Sequence, residues 1–158
     1  MSREKSNIVY MEIATGINSF INSNGKDVYL CVNSEYDEMI EGRIYVNNNG
    51  EYKRYDDLID NDNEADNKYW DFLDLLTCCV KRLKKLFMEE KKGSFTSLKI
   101  RYSKNWEVLS VEYGFELLSD YDEKLLNEIV WEYKTLNMYP TDKEEKEMLE
   151  KFLKQKKM

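Results

Sequence analysis

Carboxylates are the side chains whose spacing in this sequence comes nearest to a chemical motif. Between Asp56 and Asn67 the chain carries Asp56, Asp57, Asp60, Asp62, Glu64 and Asp66. The alternation Asp60-x-Asp62-x-Glu64-x-Asp66 sets oxygen donors at every second position, as a calcium-binding loop does. That reading fails at two places. Ala65 stands where such a loop needs glycine for its sharp turn, and Asp71 stands where it needs the longer, bidentate Glu. No metal or other cofactor is therefore expected. Asp56 with Asp57, and Asp120 with Asp122, have the residue types for acid–base hydrolysis, but no substrate-binding motif accompanies them.

Other catalytic equipment is sparse. The chain has no histidine, which removes the commonest general base and the commonest transition-metal ligand together. Cys31, Cys78 and Cys79 are odd in number and lack the spacing of a disulfide framework or a zinc site. They read as reduced core thiols, with the adjacent pair packing in an apolar helix. A non-enzymatic protein is expected.

What remains is binding. Lys and Arg number 24 against 31 Asp and Glu, a formal net charge of −7. Long-range repulsion disfavours direct contact with nucleic acid or an anionic membrane and favours a basic protein partner. The basic run Lys81 to Lys85 and the tail Lys154-Gln155-Lys156-Lys157 are explained by helix-dipole complementarity and solubility. Affinity also needs desolvated anchors, and the chain holds 12 Tyr, 6 Phe and 3 Trp. Tyr36, Tyr52, Tyr55 and Tyr121 fall near loops or strand ends, where amphipathic rings serve as interface anchors. The candidate partner-binding surface is accordingly Tyr52, Tyr55, Asp56, Asp57, Asp60, Asp62, Glu64 and Asp66.

The elements that must position these residues follow from periodicity. Val9, Ile13, Ile17, Phe20 and Ile21 predict an amphipathic helix over about 5–22, closed by Asn24-Gly25. Val28, Leu30 and Val32 alternate as in a half-buried strand. A second strand places Ile40, Gly42, Ile44 and Val46 on one face, and Asn47-Asn48-Asn49-Gly50 predicts a hairpin returning through Glu51 to Tyr55. Residues 56–67 read as a solvated loop. Trp70, Leu73, Leu76, Thr77, Val80, Leu83 and Phe87 then form a helical seam within a long helix from Trp70 to Lys91. A second hairpin pairs Leu98, Ile100 and Tyr102 with Leu109, Val111, Tyr113 and Phe115 around Lys104-Asn105.

The C-terminal segment is the most specific. Leu125, Ile129, Trp131, Tyr133 and Leu136 make an apolar stripe, Asn137 suits a left-handed helix end, and Pro140 forbids continuation. Thr141 with Glu144 reads as the capping box of a last, charged helix. The order helix, strands, helix, strands, two helices predicts an α+β domain: an antiparallel sheet of two hairpin units, helices mainly on one face and a C-terminal helix pair. No repeat or linker divides it, so residues 1–158 are expected to form one domain. At 158 residues it should bury roughly 70% of its unfolded surface. No apolar run approaches the ~20 residues that span a bilayer, and no signal-peptide core follows Met1-Ser2-Arg3-Glu4-Lys5, so a cytoplasmic location is expected.

The run Trp131-Glu132-Tyr133-Lys134-Thr135-Leu136-Asn137-Met138-Tyr139-Pro140, followed by a charged helix, resembles the C-terminal end of the YezG-like family of bacterial immunity proteins. Upstream features fall in the same order: Tyr10-Met11-Glu12-Ile13-Ala14 in the first helix, Phe95-Thr96-Ser97 after the long helix, and Asn105-Trp106-Glu107 leading to Val111-Glu112-Tyr113-Gly114-Phe115. Asn137 replaces the usual Gly, Phe95 the usual Trp, and Asn24-Gly25-Lys26-Asp27 a Trp-containing entry to the first strand. The resemblance implies a single immunity-protein domain and a cytoplasmic antitoxin. Its partner would be a secreted polymorphic toxin of the type VII (LXG) kind, with a basic nuclease domain at the toxin C-terminus. A row of carboxylates would then compete for the field of a phosphate-binding cleft. A different class of function, an adaptor or regulatory module with an unrelated cytoplasmic partner, uses the same surfaces.

Overall fold

A computed structural model of the chain describes residues 3–19, 21, 27–36, 39–48, 50–55, 63–103, 105–117 and 121–156. The elements are α1 (Arg3–Asn18), β1 (Val28–Tyr36), β2 (Met39–Asn48), β3 (Glu51–Arg54), α2 (Asn63–Glu89), β4 (Ser97–Tyr102), β5 (Val108–Gly114), α3 (Tyr121–Leu136) and α4 (Lys143–Lys156). The chain divides into two compact units. One comprises Met1–Asn47 with Lys53–Glu116, the other Asn48–Tyr52 with Leu117–Met158.

The fold is α+β, built on a five-stranded open antiparallel sheet of order β3-β2-β1-β4-β5. The two expected hairpins are both present and are joined by β1 lying antiparallel to β4. Register fixes the faces. Leu30 stands between Ile44 and Ile100, and Val32 between Gly42 and Leu98, so the apolar alternation of three strands falls on one side.

Within the first unit, α1 and α2 both cover that side. Val9, Ile13, Ala14 and Ile17 of α1 and Phe72, Leu76, Val80, Leu83 and Phe87 of α2 join Val28, Leu30, Ile44, Leu98, Ile100 and Tyr102 in one buried cluster. Each large aliphatic side chain so buried contributes roughly 1.5–3 kcal/mol. Polar groups tie the layers together. The Tyr102 hydroxyl donates to the Tyr10 carbonyl of α1 at 2.7 Å, and the Tyr10 and Tyr113 hydroxyls meet at 2.5 Å. At one end of the cluster, the Phe87, Phe95 and Tyr113 rings pack with centroids 4.4–5.1 Å apart.

Three boundaries depart from the sequence reading. α1 stops at Asn18, short of residue 22, where the Ser19 hydroxyl donates to the Gly16 carbonyl at 2.6 Å and competes with the helical pattern. The Asn24-Gly25 stop lies outside the described residues. The long helix begins at Asn63, not Trp70. Its first turns take in Glu64 and Asp66, and acidic residues suit the positive end of a helix dipole. At its other end Lys91 adopts φ 59°, the Lys92 N–H bonds the Phe87 carbonyl at 2.9 Å, and the Lys91 N–H bonds the Met88 carbonyl at 3.1 Å. This pair of bonds is a Schellman end, with lysine at the position glycine usually fills.

In the second unit, α3 closes with Asn137 at φ 55° and a bond from the Met138 N–H to the Glu132 carbonyl, as the left-handed residue there requires. The start of α4 shifts by one residue from the expected capping box. Asp142, not Thr141, is the cap, its carboxylate accepting the Glu145 N–H at 3.1 Å. Ile129, Leu136 and Leu149 are buried, the Lys134 ammonium lies 5.5 Å from the Phe152 ring centre, and the Tyr139 hydroxyl donates to Glu150 at 2.9 Å.

Candidate functional site

The sequence-predicted surface is seen in part. Tyr52 stands half-buried on β3. Tyr55 is only 6% exposed, its ring 5.6 Å from that of Tyr69, whose hydroxyl donates to the Gly42 carbonyl at 3.1 Å. Tyr55, the residue after β3, is thus part of the core of the first unit. Glu64 and Asp66 fall on the first turn of α2. Asp56, Asp57, Asp60 and Asp62 lie outside the described residues, and Asp60 and Asp62 of the calcium-like alternation with them.

Sequence reading missed a second surface, on the outer side of the α1–α2 pair. The two helices run antiparallel, which the contacts along their seam show. Gly16 faces Phe72 and Leu75, Glu12 reaches Arg82, and Val9 lies beside Leu86. Gly16 permits the close approach: a Cβ there would stand 2.6 Å from the end of Leu75 and 3.0 Å from the Phe72 ring. The Glu12 carboxylate pairs with the Arg82 guanidinium, and the Cys79 sulfur lies 4.0 Å from the same carboxylate.

Beside this ion pair lies an open groove of about 320 Å³, with Ile8, Val9 and Leu86 as its apolar lining and Lys5, Arg82, Lys85 and Glu89 around it. Ile8 is 56% exposed, Trp70 60% and Met88 70%, while Met11 and Leu75 are less so. The sequence carried a signal for this face. Between Asp71 and Lys85, positions 71, 74, 78, 82 and 85 recur at helical spacing with acids first and bases after, and Glu89 then breaks the order.

Three titratable side chains of the first unit, Cys79, Tyr102 and Tyr113, are held in their neutral forms. Burial, and next the Glu12 carboxylate, push the Cys79 thiol up to about 11. Burial raises the Tyr102 phenol, and burial with the Tyr10 hydrogen bond raises that of Tyr113. A protonated thiol is a poor nucleophile, and neutral phenols serve as packing and hydrogen-bonding groups. Among the described residues, no three Cys, Asp or Glu side chains converge as a metal site, and no helix is long and apolar enough to cross a membrane. The described surfaces offer exposed apolar side chains with sorted charges around them, which is the chemistry of protein recognition.

No curated protein matches the chain. The model of the YezG-like immunity protein family matches residues 7–150, a span that runs from the first turns of α1 into α4 and takes in the whole sheet. The chain belongs to the YezG-like family of immunity proteins.

Proposed function

We propose that this chain is the antitoxin of a toxin–immunity pair, binding a cognate secreted toxin in the cytoplasm of the producing cell and blocking it stoichiometrically, without catalysis of its own. The family match over residues 7–150 carries this reading. The match passes through both units, which act together as one immunity-protein domain over residues 1–158. The partner is the C-terminal domain of a toxin exported by the type VII (LXG) route, a basic nuclease. A net charge of −7 supports this choice, since a nuclease cleft must be cationic to hold phosphates and is drawn to an acidic protein.

Contact runs through Asp56, Asp57, Asp60, Asp62, Glu64 and Asp66, with Tyr52 and Tyr55 beside them in sequence. Carboxylates in such a row raise the association rate and select for a basic partner, while the half-buried Tyr52 ring supplies area to desolvate. The partner is identified by capturing the tagged chain from its host's lysate under conditions where toxins are made. Recovery of one large secreted-type protein with a basic C-terminal domain, in near-equal amount, agrees with the proposal. Recovery of a housekeeping complex instead contradicts it and points to an adaptor.

A further inference from the structure

Helix α2, 27 residues long, buries one side in the core and leaves a line of exposed side chains on the other. Asp71, Asp74, Leu75, Cys78, Lys81, Arg82, Lys85 and Glu89 recur at steps of three and four and share that outer face. Between Asp71 and Lys85 its charges are sorted along the axis, with Lys68 before and Glu89 after of the opposite sign to their neighbours. Asp71 and Asp74 occupy the N-terminal part, Lys81, Arg82 and Lys85 the C-terminal part, and exposed Cys78 stands midway. Trp70 and Met88 are 18 residues apart, five full turns, so both lie on one flank of the face. Ile8 and Met11 of α1 border the other flank. Large apolar side chains this exposed, ringed by charge, mark a surface that is covered in use.

We infer that what covers this face is the same face of a second copy of the chain, with the two α2 helices antiparallel and Cys78 on the two-fold axis. The face is complementary to itself in that arrangement. Asp71, seven residues before Cys78, meets the second copy's Lys85, seven after. Asp74, four before, meets the second copy's Lys81, three after, on the flank that carries Trp70 and Met88, while Arg82 stays with Glu12 on the flank of α1. The two-fold axis keeps each flank on its own side, so Trp70 of one copy packs on Met88 of the other, a favourable sulfur–aromatic contact. A parallel pairing would instead stack Asp71 on Asp71 and Lys85 on Lys85.

Packed helices lie up to ~10 Å apart with Cα atoms on a radius of ~2.3 Å, which leaves about 5 Å between the two Cys78 Cα atoms. A disulfide spans roughly 4.4–6.8 Å, so Cys78 is a built-in reporter of this contact. The inference is independent of which toxin the chain binds.

The test uses the full chain, by sedimentation equilibrium and by brief treatment with diamide, which takes two electrons and two protons from a pair of thiols and leaves the disulfide. The expected result is a dimer that diamide makes covalent, with the cross-link lost in Cys78→Ser. Asp71→Lys with Asp74→Lys should weaken association by at least about a hundredfold, because each new lysine faces a like charge. Adding Lys81→Asp and Lys85→Asp should restore it, and circular dichroism of both variants confirms that the helices are intact. A native chain that stays monomeric at hundreds of micromolar overturns the inference. So does a dimer that resists the double substitution, or one that diamide does not cross-link at Cys78.

Discussion

Replacing Tyr102 with Phe should change the pH dependence of stability in a way that its place in the fold dictates. Tyr102 is fully buried, and its hydroxyl donates to the Tyr10 carbonyl at 2.7 Å. Loss of that bond costs about 1.4 kcal/mol at pH 8, toward the upper end of a neutral hydrogen bond. Burial raises the phenol above its ordinary value of 10.0, so the folded state keeps the proton and the unfolded state releases it. The sign follows: the contribution is complete below pH ~10 and is lost as pH rises above it, by about 1.4 kcal/mol per pH unit for one proton. The native protein should therefore lose its advantage over Tyr102→Phe near pH ~11, where the two stabilities cross. Denaturant unfolding followed by tryptophan fluorescence from pH 8 to 11.5 measures both curves, and the other phenols cancel in the difference. A difference that stays constant across this range would show that Tyr102 ionises as readily folded as unfolded, and would refute the account of its burial.

Three further outcomes are expected. Lys91→Gly removes a left-handed lysine worth ~1–2 kcal/mol of strain. Against this stand a lost cation at a helix end and a freer unfolded chain, which leave a net gain of about 0.5 kcal/mol, or roughly 1–2 °C in Tm by calorimetry; a fall in Tm would contradict the Schellman geometry. Maleimide at pH 7.5, at protein concentrations low enough to keep the copies apart, should modify exposed Cys78 within minutes and leave Cys79 unreacted until the protein unfolds, since burial and Glu12 hold that thiol protonated; peptide mapping distinguishes the two. Charge reversal of Asp57, Asp60 and Asp62 together should slow toxin association at low salt, and unchanged kinetics in stopped flow would remove that segment from the interface.

Local periodicity made most of the fold legible. Alternation in β1, β2 and β4 located the strands and the correct inward faces, because one-sided burial leaves a period of two. In β5 it held at Val111 and Tyr113, but a register shift puts Val108, not Leu109, opposite Tyr102 and leaves Leu109 and Phe115 exposed. The pairing of β1 with β4 was not legible, since a contact between residues some seventy positions apart leaves no local trace. The early start of α2 was hidden for a different reason. Acids and asparagines look the same in a solvated stretch and at the N-terminal end of a helix, where the dipole welcomes them. Asp142 took the capping role from Thr141 because the two are adjacent and both accept hydrogen bonds; only geometry separates them. Tyr55 read as an interface anchor from its place at a strand end, yet its ring packs on Tyr69. The outer face of α2 leaves no apolar seam, and its signal is in the order of charges along an exposed line from Asp71 to Lys85.

The central claim is most directly tested in living cells that produce the captured toxin's C-terminal domain under an inducible promoter, with or without this chain. The account predicts that induction kills cells lacking the chain and spares those making it, and that protection coincides with a purified one-to-one complex. Death at the same rate in both would contradict the account.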